Sequence, residues 1–293
     1  MCNILAAIHA AVEAGNAILQ VYRSADFKVA EKTDNSPLTL ADRNAHDVIM
    51  QHLSDFGIPV LSEEGKHTPY DERENWETFW LVDPLDGTKE FIKKNGEFTV
   101  NIAMISKNKP VAGVVLVPDK NILYFASSEI GSYRVDLSQI AELLGAKSEN
   151  MDWPTDLSDS KAAATVSELI GHSTRLPISQ SPNQPYTIVG SRSHATPELE
   201  AFVEEKRREY GEVEFISAGS SLKLCLVAEG RADIYPRTGP TMEWDTAAGQ
   251  AVVECSGGKV YKYDTTEPLV YNKENLLNPW FIAHKVDSLN SPG

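Results

Sequence analysis

Three apolar runs joined by two four-residue turn segments do most to limit how this chain can fold. Residues 98–105, 111–117 and 122–126 are rich in Val, Ile, Leu and Phe, and Lys107-Asn108-Lys109-Pro110 and Pro118-Asp119-Lys120-Asn121 separate them. Runs of that length between such turns read as successive strands of a meander feeding one sheet. Upstream, 79–82 predicts a buried strand stopping at Asp83-Pro84, with shorter strands at Pro59-Val60-Leu61 and Phe27-Lys28-Val29. Downstream, strands are expected at 131–135, 186–189, 213–216 and 232–235, and helices over 137–144, 197–210 and 220–229. Ile4, Ile8, Val12, Gly15, Leu19 and Tyr22 recur at helical spacing, so 1–22 reads as an amphipathic helix; another runs from Asp42 to about residue 53. Trp244, Ala248, Ala251, Val252 and Cys255 share one face of a last helix that ends at Gly257-Gly258. The polar stretch 67–76 reads as a loop or short helix with solvated charges. Residues 148–185, rich in Ser, Pro, Asp and Asn, read as an inserted surface segment near the boundary between an N-terminal unit, 1–178, and a C-terminal unit, 179–293.

The formal net charge of −15 argues against non-specific nucleic-acid binding, which needs a basic surface. It also means that an anionic substrate requires local reversal of the field by metal ions or a few placed Lys and Arg. Cys2, Cys225 and Cys255 show no ligand spacing, and Cys225 and Cys255, in apolar helical patterns, read as buried free thiols, which fits a reducing compartment. Residues 1–22 lack a basic leader and are broken by His9, Glu13 and Asn16, so neither a signal peptide nor a spanning helix is expected. The location expected is cytoplasmic, with peripheral attachment at the inner membrane less favoured because that helix carries little basic charge.

Chemistry concentrates where apolar runs end. Asp83 and Asp86 lie three residues apart on a turn stiffened by Pro84, and Gly87 and Thr88 open the next segment, where free backbone amides suit phosphate oxygens. Glu63-Glu64 follows the strand before it, and Asp42 and Asp245 stand at helix starts. Each has a bland alternative: Asp83 and Asp86 as turn residues, Asp42 as an N-cap, Asp245 as an acid answering a helix dipole. If the five acids converge they cannot all ionise unaided, because two such charges 4 Å apart repel by about 4 kcal/mol at an effective dielectric near 20. Bound Mg²⁺ would reverse that cost.

Glu63-Glu64, Asp83-Pro84-Leu85-Asp86-Gly87-Thr88 and Trp244-Asp245-Thr246-Ala247-Ala248 through Gly257-Gly258 resemble the signatures of the inositol monophosphatase superfamily. The resemblance covers nearly the whole chain, apart from about 148–185. It implies an α/β fold of alternating helix and sheet layers, an α-β-α-β-α sandwich, and a Mg²⁺-dependent, lithium-sensitive phosphatase. Asp34-Asn35-Ser36-Pro37-Leu38-Thr39 before Asp42, the run 80–100 with Asn95-Gly96-Glu97-Phe98-Thr99, Gly190-Ser191-Arg192-Ser193-His194, 220–223 and Tyr235-Pro236-Arg237 are most similar to its 3'(2'),5'-bisphosphate nucleotidase branch.

That resemblance implies Glu63, Asp83, Asp86 and Asp245 as ligands of two or three Mg²⁺, with the Leu85 carbonyl completing the shell and Glu64 behind it. Thr88, aided by Asp42, would orient and deprotonate a metal-bound water, with Glu63 assisting. Gly87, Thr88, Asp245, Ser220, Lys223, Arg237 and His194 would hold a small bisphosphorylated nucleotide. The expected reaction removes the 3'-phosphate of 3'-phosphoadenosine 5'-phosphate, a step of sulfur metabolism. An inositol or sugar phosphatase, and a noncatalytic metal- or nucleotide-binding relative, remain alternatives on the same scaffold; Ser220 as an N-cap and Arg237 in a surface ion pair remain bland readings.

Overall fold

The computed structural model describes residues 2–24, 37–140, 159–178, 185–191 and 196–286. A first sheet of seven strands runs in sequence order: β1 (Val60–Ser62), β2 (Thr78–Asp86), β3 (Thr99–Ser106), β4 (Lys109–Val117), β5 (Ile122–Ser127), β6 (Gly131–Asp136) and β7 (Thr174–Arg175). Only β1–β2 pairs in parallel; the rest is the antiparallel meander. A second sheet, in the order β11-β12-β10-β8-β9, contains β8 (Tyr186–Gly190), β9 (Val213–Ser217), β10 (Ile234–Arg237), β11 (Lys259–Lys262) and β12 (Phe281–His284).

The helices fill the spaces around and between these sheets. Two of them, α1 (Cys2–Tyr22) and α2 (Pro37–Leu53), pack together over one face of the first sheet. Two short helices, α3 (Tyr70–Arg73) and α4 (Thr88–Ile92), flank β2, and α5 (Leu137–Ile140) follows β6. Outside the first sheet, α6 (Asp159–Gly171) joins α1; outside the second, α7 (Pro197–Tyr210) covers Ile188 and Ile234 with Phe202. Between the sheets lie α8 (Leu222–Ala228) and α9 (Glu243–Cys255). The result is the alternating five-layer α-β-α-β-α arrangement.

Strand periodicity explains why the meander reads as unbroken apolar sequence. Trp80, Val82, Val100, Ile102, Val114 and Leu116 face α1 and α2, while Phe79, Leu81, Ala103, Ile105, Val115 and Val117 face α8 and α9. A strand buried on both faces must be apolar at every position. Each fully buried large side chain contributes roughly 1.5–3 kcal/mol. Helix α9 approaches the sheet closely at Gly113, where a Cβ would come within 2.5 Å of the Ala248 carbonyl. Among the described residues α1 is the one helix long and apolar enough to cross a membrane, and 72% of its apolar window is buried inside the protein.

Four expectations need correction. Pro84 does not end β2: the strand continues to Asp86 through a register shift between Asp83 and Asp86, a place where a missing N–H breaks no ladder bond. Helix α2 starts at Pro37, so Asp42 sits inside it and is not its N-cap. Residues 159–178 are not wholly a surface segment. Ala162, Val166 and Leu169 of α6 are buried against α1, β7 extends the sheet, and Leu176 is buried behind it. The charges of 67–76 are not all solvated, for Arg73 is 3% exposed and donates to Asn272 Oδ1 and the Glu274 carbonyl. The expected strand at 27–29 and residues 141–144, 148–158 and 179–184 lie outside the described residues. The first sheet ends at Arg175 and the second begins at Tyr186, while a single core cluster joins their facing sides through α8 and α9.

Candidate functional site

The side of the first sheet that faces α8 and α9 turns polar at one end. Asp83 continues the series Phe79, Leu81 and is 1% exposed; Asn101 is its register partner on β3 and is equally buried. The Leu85 N–H donates to Asp83 Oδ1 at 3.1 Å and fixes the turn, while the Leu85 side chain is buried on the α1 side. Glu63, just past β1, is exposed; its N–H donates to the Val82 carbonyl, which sets it beside Asp83. Burial, then the charges of Glu63, Asp86 and Asp245, push the Asp83 carboxyl well above the usual carboxylate range.

Asp86 is also raised by burial, with Lys223 and hydrogen bonds from Ser221 and Asn101 opposing the rise. Asp245 lies in the first turn of α9 and accepts the Met242 N–H at 2.9 Å, so it does cap that helix. Burial and Asp86 nevertheless raise it to about 7. Four acids therefore share one electrostatic neighbourhood, although among the described residues no three acids, histidines or cysteines form a ready-made cage.

A cavity of about 130 Å³ opens between two of these acids, Asp86 and Asp245, and the second sheet, walled also by Gly87, Ser220, Lys223, Tyr235 and Arg237 among others. Gly87 has φ +93°, and a Cβ there would come 1.9 Å from Ser220 Oγ, so the position requires glycine. Ser220, with φ +48°, donates from Oγ to the Asp86 carbonyl at 3.0 Å instead of capping α8. Lys223 is 6% exposed, donates to the Ser220 carbonyl at 2.8 Å, and lies over the Tyr235 ring. Burial lowers its pKa to about 8, with Asp86 pulling the other way. Arg237 donates from Nη2 to the Pro240 carbonyl, and its Nε is buried with no hydrogen-bond partner among the described residues. No surface ion pair accounts for it there.

Thr88, half-buried, is the first residue of α4, and Asp42, 7% exposed, lies on α2, which packs against α4. Neither lines the cavity. Glu64 is exposed, and His194 lies outside the described residues. Sequence reasoning missed Asn101 and Ser221. Asn101 carried a legible signal, a polar residue interrupting the run 98–105; Ser221 had none beyond its neighbour Ser220.

Two atoms test whether these residues fit a cation. Thr99 Oγ1 and Asn101 Oδ1 are buried without a hydrogen-bond partner among the described residues, and they sit on β3 opposite Asp86 and Asp83. Mutually repelling carboxylates beside unanswered oxygens, with no nitrogen or sulfur donor, suit a hard divalent ion such as Mg²⁺.

These features define a layered, acid-centred phosphatase scaffold, and the chain belongs to the inositol monophosphatase family, whose profile it matches over residues 2–286. Members of that family are metal-dependent phosphatases, generally using Mg²⁺. The chain is 43% identical over 272 residues to the 3'(2'),5'-bisphosphate nucleotidase CysQ of Escherichia coli O157:H7, covering 92% of this chain and 94% of that one. It is 47% identical to the crystal structure of CysQ from Bacteroides thetaiotaomicron, a bacterial member of the family, at TM-score 0.84 and 97% coverage of both chains. Inositol monophosphatase II of Staphylococcus aureus MSSA476, at 21% identity and TM-score 0.68 over 97% of this chain and 89% of that one, shares the fold.

Proposed function

We propose that this chain is a Mg²⁺-dependent 3'(2'),5'-bisphosphate nucleotidase that converts 3'-phosphoadenosine 5'-phosphate and water to AMP and phosphate, acting in the cytoplasm. The observation that carries the reading is a cavity lined both by the half-buried acids Asp86 and Asp245 and by two cations, the buried Lys223 and the half-buried Arg237. A substrate with two phosphates needs both: one group presented to the acids through cations, the other held by fixed positive charge. Relatives above 40% identity over nine-tenths of the chain are bisphosphate nucleotidases, which supports the same substrate class.

Glu63, Asp83, Asp86, Asp245 and the Leu85 carbonyl would hold two or three Mg²⁺, which when bound would supply Lewis acidity to the phosphoryl transfer. Lys223, Arg237 and Ser220, with His194, fix the nucleotide and its retained 5'-phosphate. Thr88 Oγ1 orients the attacking water and takes its proton while passing its own to Asp42. The water oxygen bonds to phosphorus as the bond to the 3'-oxygen breaks; a second solvent water protonates that oxygen, and the hydroxide so formed is neutralised by the proton held on Asp42. Gly87 keeps the wall thin enough for Ser220 to reach the Asp86 backbone.

Phosphate release across bisphosphonucleotides, inositol phosphates and fructose 1,6-bisphosphate, with and without Mg²⁺, tests the reading. The 3'-phosphorylated nucleotide should be the best substrate, and only with Mg²⁺. Truncating Arg237 to Ala should weaken turnover of the bisphosphate by roughly 2–5 kcal/mol in kcat/KM and a monophosphate far less. Equal losses on both, or a better inositol phosphate, would replace the nucleotidase reading with a sugar-phosphate one.

A further inference from the structure

The loop entering α8 does more than line the cavity. Ser221 Oγ lies 3.2 Å from Asp86 Oδ2 and 2.8 Å from the Asp245 carbonyl, so one hydroxyl touches two of the acids at once. Asn101 Nδ2 donates to that same Oγ at 3.0 Å and reaches Asp86 Oδ2 at 3.5 Å. Both side chains are buried, Ser221 at 3% and Asn101 at 1% exposure, so water does not compete for these contacts. The loop itself is pinned from the first sheet's side. Glu97 Oε2 accepts the Gly219 N–H at 2.9 Å, and Lys120 pairs with the other Glu97 oxygen at 3.4 Å.

Asp86 needs such help. It ends β2 just beyond a bulge, and the groups that meet its carboxylate come from α8's entry and from β3, not from its own strand. Two like-charged neighbours would turn it away, whereas the Ser221 hydroxyl, sharing its one proton between Asp86 Oδ2 and the Asp245 carbonyl, and the Asn101 amide at Oδ2 fix its plane. We propose that Ser221, held by Asn101, is the positioning residue for Asp86, binding that carboxylate to the start of α9 so that Asp86 and Asp245 face a cation as one rigid pair. The proposal rests on the metal reading above and assigns Ser221 no contact with substrate. Removing the partner that orients a metal ligand typically costs about 10- to 100-fold in metal affinity or activity.

Calorimetric titration of Mg²⁺ into the purified full chain without substrate provides the test, run on wild type, Ser221→Ala, Asn101→Ala and the double variant. Each single change should weaken Mg²⁺ binding by about tenfold or more. The double variant should be scarcely weaker, because both groups act on one oxygen. Steady-state kcat at limiting Mg²⁺ should fall and recover at high Mg²⁺, with substrate KM changed by less than about twofold. Ser221→Thr, which keeps the hydroxyl, should recover binding. Wild-type affinity in a folded Ser221→Ala or Asn101→Ala protein overturns the positioning role alone. A wild type that binds no Mg²⁺ overturns the metal reading beneath it.

Discussion

The two faces of the first sheet bury ionisable groups in opposite ways. Towards α1 and α2 the face is apolar, and in the helices above it His9 is buried at 3% exposure, with Asp42 at 7% on α2, which packs against α4. Burial and the nearby His52 lower the His9 pKa to about 3, so it is neutral wherever the protein is folded at ordinary pH. Towards α8 and α9 the face ends in Asp83, with Asp86 and Asp245 beside it, and burial raises all three. His9 avoids its penalty by staying uncharged. The acids are crowded where an outside charge can answer them. The apolar face keeps its buried histidine neutral; the other face gives up stability for a binding site.

Substitution at the acidic end gives the sharpest contrast. Asp83→Asn removes a charge from the cluster, so turnover should be abolished while the cation-free protein unfolds at the same or a higher temperature. Measurable activity at low Mg²⁺ in that variant would mean that Asp83 is ordinary buried structure. Next come the groups proposed to handle the proton. Thr88→Val and Asp42→Asn should each lower kcat about 10²- to 10⁴-fold with little change in KM, the usual worth of a positioned base. Their double variant should be scarcely worse than either single, because the two act as one unit. Additive losses would separate them, and an active Thr88→Val enzyme would take the threonine out of the mechanism.

The closed face should respond to acid. Below the unfolded histidine pKa of 6.5 the unfolded chain binds a proton that folded His9 refuses. This contribution is therefore complete above pH 6.5 and is lost as pH falls towards 3. By pH 4 the loss should reach roughly 3 kcal/mol. Chemical denaturation of wild type and His9→Leu across pH 4 to 7 reads it directly. The acid limb should flatten in the variant, and an unchanged limb would remove His9 from the account.

Much of this contrast was legible in the sequence, and the reasons for the gaps are physical. Strands β3, β4 and β5 announced themselves because burial on both faces leaves no polar position to blur the pattern. Helix α7 was read with its observed bounds, since Pro197 starts it and Gly211 follows its end. Helix α6 was hidden: its buried residues Ala162, Val166 and Leu169 lie among Ser, Thr and Lys in a stretch whose composition resembles a loop. The acids were found by type and position, but their electrostatic coupling needed the fold. Asp83 meets Asp245 only because α9 crosses the sheet where Gly113 lets it approach. Ser221 and Asn101 escaped notice because they act through Asp86 across 120 residues of chain.

Thermal unfolding measured against pH, with the divalent cation removed and with Mg²⁺ added, tests most directly that the acidic end is built around a cation. Raised carboxylate pKa values stabilise the folded protein fully below the unfolded value of 3.8, and that contribution is lost as pH rises through about 7 for Asp245. The acid limb of His9 is common to both curves and cancels in their difference. Stripped of cation, the protein should therefore lose stability from this cluster as pH rises from about 4 to 7, and the Mg²⁺-induced increase in Tm should grow across the same interval. Coincident curves with and without Mg²⁺ at every pH would contradict the account.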